Sequence, residues 1–377
     1  MTAGVRELGE AELDGWDGAA VDAPGGHVLQ SRAWAAHRAA GGWQPRFIAV
    51  GEVRALALVR PWPLIGGGSA YLPRGPVGPG LPWTGDGSGA AIGEALVAVA
   101  RHLEGLGVDV VAADAEVAGG DTTYRTALAA AGFRPIPEIQ PSRHRMSLAL
   151  PGDGDAAGVF AGVAKSTRQR IRQAERDGVV VVRHDARGAD LDGFTAAREP
   201  ADVVLRRFYD LLHATGDRVG FALGGPAGFV AWWLRALGAG HLVYLEAREG
   251  VETGPVLGGL VLFRHGRRLS TAHSADVAEG RRDHPGTMHL LRWRAIQLAM
   301  AEGRPEMDLG GVDVAGARRP PAQGEPTFGL YEHKRSFGAT WVELAGAQER
   351  VASPVRYAAG RATTRLVRAA GRGKGGA

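Results

Sequence analysis

Hydrophobic and polar positions follow helical spacing in the stretch VFAGVAKSTRQRIRQAERDGVVVV, Val159 to Val182. At 100° per residue, one side collects the apolar and small residues Phe160, Val163, Ala164, Thr167, Ile171 and Ala174. The other side carries four cations, here called the basic stripe: Lys165, Arg168, Arg172 and Arg176. Gly178 is expected to end the helix, and the valines after it are typical of a buried strand. The pattern predicts one amphipathic helix and a strand, with the basic stripe either a solvated face or a binding face for an anion.

One order of elements is predicted twice along the chain. In the first half, a hairpin (PRFIAV and RALALVRP) precedes a third strand (SAYLP), a helix over 89–106 and a buried strand (VDVVAAD). In the second half, the same order runs through GHLVYLEAR, VLGGLVLFR, RLSTAHS, TMHLLRWRAIQLAMAEG and EMDLGG. Each copy then continues through helix-forming residues into a last strand, in YRTALAAAGFRPI and YEHKRSFGATWVEL. The repetition predicts an α/β domain that is duplicated.

This order of elements is that of the GNAT acyltransferase fold. In that fold, a helix N-terminus beside a splayed central strand binds the pyrophosphate of an acyl carrier. The corresponding loop here, EGRRDHPGT, lacks the glycine-rich spacing that usually wraps coenzyme A. Pro285 stands where a free backbone N–H would be wanted. An acyl-CoA enzyme is therefore disfavoured but stays open as an alternative.

Composition narrows the classes of protein and of site. The 377 residues are enough for two ordinary domains, and no apolar run approaches the roughly 18 residues that a membrane span needs. The acidic start, MTAGVRELGEAELDGWD, is not expected to be a signal peptide, so a cytoplasmic protein is predicted. The absence of cysteine excludes disulfides, thiolate nucleophiles and zinc–cysteine sites. Histidines without His-x-x-x-His spacing predict no metal site.

The positive charge is concentrated at the C-terminus. From Arg350 onward there are six arginines, one lysine and no acid, so the rest of the chain has 37 basic residues against 40 acidic ones. If the tail is helical, four arginines share one face: Arg361, Arg365, Arg368 and Arg372. Such a face could bind tRNA or an anionic membrane surface, or it could simply be solvated. The last residues, 369–377, are predicted to be a disordered basic tail.

Several phrases together resemble the FemABX family, the aminoacyl-tRNA-dependent ligases that build peptidoglycan cross-bridges. They are LQSRAW, YLPRGPV, IQPSRHRMSLAL, KSTRQRIRQAERDGVVVV, MDLGGV and HKRSFGATWVEL, and they occur in family order. The resemblance implies two tandem GNAT-like domains with mixed central sheets flanked by helices. The first is expected over 1–149 and the second over 150–344, with 345–368 packing back on the first. No heptad pattern indicates the coiled-coil arm that some members carry.

The resemblance also implies an activity. Family members move an amino acid from aminoacyl-tRNA to an amine of a lipid- or nucleotide-linked muropeptide, without ATP, metal or coenzyme A. The implied partners are aminoacyl-tRNA, a muropeptide and, at its periphery, the inner membrane face; a monomer is expected. Because donor and acceptor both carry phosphates, the basic stripe is interpreted as a phosphate-binding face. Transfer onto a small-molecule amine, and a non-catalytic binding module, stay open.

Individual site residues follow from the matching phrases. In HKRSFG, Lys334 corresponds to the family lysine that is thought to stabilise the tetrahedral intermediate, while His333 replaces the usual phenylalanine. Arg335 is a second candidate for tRNA phosphate, or a strand-edge charge. Arg38 stands where members tend to have a lysine on the acceptor diphosphate, so a clamp with Lys165, Arg168 and Arg172 is predicted.

The first domain supplies three further candidates. Tyr71 and Arg74, in YLPRGPV, are expected at its mouth, where they either bind the acceptor or form a rigid turn. Asp114 ends a buried strand in ADAEV, where the family often has Asp-Pro-Glu. It either orients the attacking amine or caps a helix. Asp308, in MDLGGV, is expected to orient backbone rather than to catalyse.

Overall fold

The computed structural model describes residues 4–85, 87–140, 143–152, 154–187, 191–220, 222–312 and 319–373. The chain divides into two compact units. The first comprises Met1–Arg143 with Glu343–Ala377, and the second His144–Val342. The strand at 144–149, which the sequence placed in the first domain, therefore belongs to the second unit. It does so because its backbone pairs with the strand at Glu306–Asp308.

The strands are, in chain order, β1 (Val5–Glu7), β2 (Gln44–Val50), β3 (Val53–Pro61), β4 (Gly68–Leu72), β5 (Val110–Ala113), β6 (Arg134–Pro135), β7 (His144–Ala149), β8 (Val179–Asp185), β9 (Thr195–Ala196), β10 (Leu242–Glu249), β11 (Val256–His265), β12 (Arg268–Asp276), β13 (Glu306–Asp308), β14 (Thr340–Glu343) and β15 (Gln348–Val351). The helices are α1 (Arg32–Ala40), α2 (Ser88–Gly105), α3 (Thr122–Ala130), α4 (Ala156–Gly162), α5 (Lys165–Arg176), α6 (Ala201–Val219), α7 (Pro226–Gly238), α8 (Gly280–Asp283), α9 (Thr287–Ala301), α10 (Phe328–Arg335) and α11 (Pro354–Gly373).

The two sheets have the same strand order. The first is β1-β2-β3-β4-β5-β15-β6, and the second is β8-β10-β11-β12-β13-β7-β14 with β9 beyond β8. In each sheet a central parallel pair, β4/β5 or β12/β13, stands among antiparallel neighbours. The predicted duplication, and two tandem GNAT-like domains with mixed sheets, are thereby confirmed. Between β9 and β10 the described residues form two helices, of 19 and 13 residues, and no coiled-coil arm.

One strand of each sheet comes from a distant part of the chain. β15 follows the whole second unit and inserts between β5 and β6 of the first sheet. β7 precedes the repeated elements of the second unit and takes the equivalent place between β13 and β14. Residues 348–351 thus pair with the first sheet. The two hydrophobic cores lie between each sheet and its long helix, α2 in the first unit and α9 in the second.

The amphipathic helix predicted over the basic stripe is two helices. α4 ends at Gly162 and α5 begins at Lys165, with extended backbone at Val163 and Ala164 between them. The break allows Val163, 1% exposed, to enter the core, and it directs the Ala164 N–H to the carbonyl of Ser336. A tertiary hydrogen bond therefore replaces one that a continuous helix would have made.

The C-terminal segment is more helical than predicted. α11 continues to Gly373, so residues 369–373, expected to be disordered, are helical. Residues 361–370 are mostly alanine, arginine, leucine and threonine without proline or glycine, and alanine, leucine and arginine favour helix. Residues 374–377 of the predicted tail lie outside the described residues.

Candidate functional site

The second sheet opens into a wedge beside β12. β12 pairs with β13 only from Arg268 to Ser270, and then runs on to Asp276 without it. Its register against β11 shifts between Val261 and Leu262, which leaves Ala272 as an extra residue in the ladder. A cavity of about 750 Å³ lies there, lined by β12, the start of α9 and one face of α10. Wedges of this kind in α/β sheets are common places for ligands.

Lys334 lies at the edge of this wedge, near the C-terminal end of α10. Its side chain is buried, and Nζ donates hydrogen bonds to the carbonyl oxygens of Gly310, at 3.0 Å, and Gly311, at 2.6 Å. Gly310 has a φ of +76°, and a Cβ there would lie 2.9 Å from the carbonyl oxygen of Thr271, so the position requires glycine. A buried ammonium is thereby held beside the bulge of β12, where it can stabilise developing negative charge.

Asp308 orders the same turn. One carboxylate oxygen, Oδ1, accepts the Gly310 N–H at 2.7 Å. This contact is the backbone-orienting role that the sequence predicted for Asp308. The turn after β13 is thus held by a carboxylate on one side and by the Lys334 ammonium on the other.

A chain of polar side chains lines the wall of the cavity. Arg292, on α9, donates from Nε to His333 Nε2 at 2.8 Å. His333 Nδ1 lies 3.2 Å from His289 Nε2. Arginine is always a donor, so His333 Nε2 accepts and its proton is on Nδ1. That proton is donated to His289 Nε2, which leaves the His289 proton on Nδ1. Sequence reasoning noted the unusual His333 but missed Arg292 and His289, because the helix TMHLLRWRAIQLAMA carries two arginines and no pattern in the sequence marks which of them is buried.

Burial keeps these histidines neutral. Burial, Arg292, His289 and Lys334 together lower the pKa of His333 to about 2. Burial, with the charges of Arg170 and Arg292, lowers the pKa of His289 to about 4. Unfolded histidine titrates near 6.5, so below that pH the unfolded chain binds more protons than the folded one, and the free energy of unfolding falls as the pH falls.

We expect His333→Phe to flatten the pH dependence of stability. Between about pH 6 and pH 4, removal of one buried neutral histidine should lower the slope of unfolding free energy by roughly 1.4 kcal/mol per pH unit. Urea denaturation at several pH values measures this slope. His213→Gln, a change at an exposed position of α6, is the control. Equal slopes for wild type and His333→Phe would mean that His333 is protonated in the folded protein at these pH values.

The first unit brings together Tyr71, Arg74 and Asp114. The Tyr71 hydroxyl donates to Asp114 Oδ2 at 3.0 Å, and the Arg74 N–H donates to Oδ1 at 2.6 Å. Gln140 Nε2 in turn donates to the Tyr71 oxygen at 2.9 Å. Asp114 is only 2% exposed. Burial raises its pKa above the ordinary value, although Arg74 and the Tyr71 hydroxyl act to lower it. A buried carboxyl group with a raised pKa is a candidate for proton exchange.

Arg38 lies in the same unit, between aromatic rings. Its guanidinium carbon is 5.4 Å from the centre of the Trp34 ring and 5.0 Å from that of Trp43. Arg60 approaches the Trp43 ring at 5.5 Å. Burial and the charge of Arg60 lower the pKa of Arg38, while Tyr71 acts to raise it. Two neighbouring guanidinium groups favour an anionic ligand; Arg60 was missed because a strand-end arginine carries no motif.

The basic stripe is divided between structure and surface. Lys165 and Arg172 are exposed, and Arg172 lies over the Phe160 ring at 5.4 Å. Arg168 Nη1 instead donates to the carbonyl of Ala161 at 2.6 Å and to that of Val163. It therefore holds the end of α4, which sequence reasoning had not foreseen. The stripe belongs to the second unit and Arg38 to the first.

We expect Arg172→Ala to affect acceptor binding alone and Arg168→Ala to affect stability as well. Arg172→Ala should raise the acceptor KM roughly 10- to 150-fold with little change in Tm, since a hydrogen bond to a charged group contributes roughly 1.5–3 kcal/mol. Arg168→Ala should also lower stability, by about 1 kcal/mol for each carbonyl that loses its donor. Steady-state kinetics and thermal unfolding measure both. Arg206→Ala, at an exposed position of α6 outside the stripe, is the control. If Arg172→Ala leaves the acceptor KM unchanged, the stripe is a solvated face and does not bind the acceptor.

The predicted tRNA-binding arginines lie on helix surfaces. Arg335 is on α10, not at a strand edge, and its exposed side chain pairs with Glu332 at 2.9 Å. Arg361 and Arg365 are exposed on α11, with Arg361 over the Tyr357 ring at 5.6 Å. The side chain of Arg368 lies outside the described residues. Within the described ranges, no group of three His, Asp or Glu side chains could hold a metal ion.

Comparisons with known proteins agree with this fold. Among solved structures, FemX superposes with a TM-score of 0.73 at 18% identity, covering 94% of this chain and 99% of FemX. The chain has the FemX fold. A conserved protein of unknown function from Bacteroides thetaiotaomicron also matches this FemX-like chain, with a TM-score of 0.52 at 10% identity, over 93% of this chain and 99% of that one.

The match to an acyltransferase family lies within the second unit. Residues 161–335 match the family described as acetyltransferase (GNAT) domain, a range that contains the wedge, Arg292 and Lys334. The FemX-like chain therefore carries an acyltransferase domain. No curated protein matches it. In the part of the chain that the structure describes, no helix combines the length and apolar character needed to cross a membrane.

Proposed function

We propose that the protein transfers an amino acid from aminoacyl-tRNA to an amine of a peptidoglycan precursor, forming a peptide bond of a cross-bridge. The observation that carries the proposal is the buried Lys334 ammonium beside the β12 bulge, within the acyltransferase domain. The FemX fold and the six family phrases support the choice of donor. The acceptor is a lipid- or nucleotide-linked muropeptide, and its diphosphate is the kind of anion that Arg38 in the first unit, or the basic stripe in the second, would bind.

The reaction needs only its two substrates, because the ester on tRNA is already activated. The neutral acceptor amine attacks the ester carbonyl carbon, a C–N bond forms, and the carbonyl oxygen becomes an oxyanion. Lys334 stabilises that charge as it develops. The intermediate then collapses, the C–O bond to the terminal ribose breaks, and the proton lost by the amine ends on the ribose oxygen. In the first unit, Asp114 is the carboxyl group that we propose for orienting an attacking amine, and burial raises its pKa.

The surrounding residues have supporting roles in this proposal. Tyr71 and Arg74 hold Asp114 and face the acceptor, while Arg335, Arg361, Arg365 and Arg368 contribute positive charge toward the tRNA backbone. Peripheral contact of α11 with an anionic membrane surface would bring the protein to a lipid-linked acceptor. No cofactor is required, and we propose a cytoplasmic monomer.

An acyl-CoA N-acyltransferase is the second candidate, favoured by the GNAT match. The start of α9 argues against it. Pro285 has no N–H, and the amides of Thr287 and His289 already donate to the carbonyls of His284 and Gly286. Those amides would otherwise be the donors to a pyrophosphate at a helix N-terminus.

The test of the proposal is product identification. The protein is incubated with a pool of charged tRNAs and UDP-MurNAc-pentapeptide, and the product is identified by mass. We expect the muropeptide mass to rise by one or more amino-acid residues, and uncharged tRNA to give no product. A product only when a small-molecule amine replaces the muropeptide would move the acceptor to a secondary pathway. No product from any charged tRNA would contradict the proposal.

A further inference from the structure

Arg292 is a buried cation for which no acid in the described residues compensates. It is 2% exposed and lines the cavity of the second unit. Its Nη1 is buried and has no hydrogen-bond partner among the described residues. Its Nε bond goes to the neutral ring of His333, so that bond satisfies a donor without neutralising the charge. Burial alone accounts for the lowering of its pKa to about 10, with no nearby carboxylate acting to raise it.

A second donor borders the same cavity. Because His333 donates to His289 Nε2, the His289 proton is on Nδ1, and that atom is also buried without a partner. Arg292 and His289 both line the cavity, and both carry N–H donors that favour an acceptor with negative charge. A buried polar group left unpaired costs roughly 1–3 kcal/mol, so such donors are expected to have a partner such as a water, an ion or a ligand.

The rest of the lining selects the kind of anion. Leu212, Leu257, Met288 and Leu330 make much of the wall apolar. Asp276, held by Arg218 at 3.2 Å, lines the same cavity and disfavours a second negative charge. A single carboxylate on a short aliphatic chain fits one guanidinium in an apolar wall better than a sugar phosphate does.

We propose that this cavity binds a carboxylate carried on a short aliphatic chain, with Arg292 as its recognition residue. Resting on the proposed function, the carboxylate is the side chain of the donated amino acid, so the donor is aspartyl- or glutamyl-tRNA. Arg292 is then a specificity residue for the donor, while Lys334 acts on the reacting ester.

The first experiment tests the cavity without any donor. Butyrate and its neutral isostere butyramide are titrated into the full-length protein while the histidine ring signals are followed by NMR. We expect butyrate to shift the signals of His289 and His333 and butyramide not to shift them. Arg292→Met should abolish the shift. Arg294→Met, on the same helix but paired with Gln297 and Glu175, should retain it. Equal behaviour of butyrate and butyramide in the wild type overturns the inference, whatever the variants do.

The second experiment assigns the source of the carboxylate. Stable amide analogues, 3′-aminoacylamino-3′-deoxyadenosines bearing glutamyl, glutaminyl or alanyl groups, are titrated by calorimetry. We expect the glutamyl analogue to bind roughly 10- to 100-fold more tightly than the glutaminyl one, and Arg292→Met to remove the difference. If butyrate binds and none of the analogues binds, the cavity is a carboxylate site, but the proposed tRNA donor is contradicted. Equal binding of the three analogues overturns the inference and leaves the proposed function standing. The same analogues are also tested with a 5′-phosphate. If Arg292→Met weakens the binding of the phosphorylated analogues only, Arg292 binds phosphate and the inference is overturned.

Discussion

Replacement of Lys334 by methionine should lower kcat and kcat/KM together, by about 10²–10³. The ammonium lies beside the β12 bulge, and its charge is useful chiefly when the carbonyl oxygen becomes negative. An interaction made only in the transition state changes kcat rather than KM. Steady-state and single-turnover kinetics with charged tRNA measure the effect.

The structure predicts that Lys334→Met also lowers the free energy of unfolding. Methionine leaves the carbonyl oxygens of Gly310 and Gly311 without the Lys334 donor, which should cost roughly 1–3 kcal/mol of unfolding free energy. Lys334→Arg keeps the charge but places it on a planar fork, so it should restore stability more fully than kcat. A wild-type kcat in Lys334→Met, with only the KM for tRNA raised, would make Lys334 a phosphate anchor.

Substitution of Asp114 by asparagine should lower kcat by about 10²–10⁴, the usual contribution of a positioned acid or base. Asparagine keeps the shape, and its single carbonyl oxygen can still accept from the Arg74 N–H while its amide faces the Tyr71 hydroxyl, so the loss of rate should come mainly from proton transfer. Burial raises the pKa of Asp114, so the wild-type rate should rise with pH through a limb above the ordinary range of aspartate.

The pH–rate profile separates this role from a structural one. In Asp114→Asn the acidic limb should disappear from the profile of kcat/KM. Tyr71→Phe, which removes one hydrogen bond to Asp114, should shift the limb to higher pH and keep it. If Asp114→Asn has the wild-type rate and the wild-type pH–rate profile, Asp114 only orders the turn at Arg74 and takes no part in proton transfer.

The order of elements was predictable because strands and helices of ordinary length leave clear periodicities in the sequence. Both hairpins, both long helices and both central strands lie where the pattern placed them. The return of β15 to the first unit was expected only from the family resemblance, and the pairing of β7 in the second sheet was missed, because pairing between distant segments leaves no local mark in the sequence. The break at Val163–Ala164 has the same origin, since the carbonyl of Ser336 supplies the hydrogen bond.

The sequence allowed a site residue to be predicted where the residue belongs to a family motif or stands at the end of a predicted strand. Tyr71, Arg74 and Asp114 come together because β4 and β5 are parallel neighbours and end at one edge. Arg292 was missed because nothing in the sequence shows that its side of α9 meets His333. The role of Arg168 was missed for another reason: helical spacing assigned it to the basic stripe, while the break before α5 brought the carbonyl of Ala161 within its reach.

The most direct measurement of the central claim is the dependence of transfer on the donor. Purified protein and UDP-MurNAc-pentapeptide are supplied with charged tRNA that is intact, pretreated with RNase, or replaced by acetyl-CoA, each with and without EDTA. The account predicts turnover only with intact charged tRNA, and an equal rate with EDTA because the isolated transfer step uses no metal. Sustained turnover with acetyl-CoA in the absence of tRNA would contradict it.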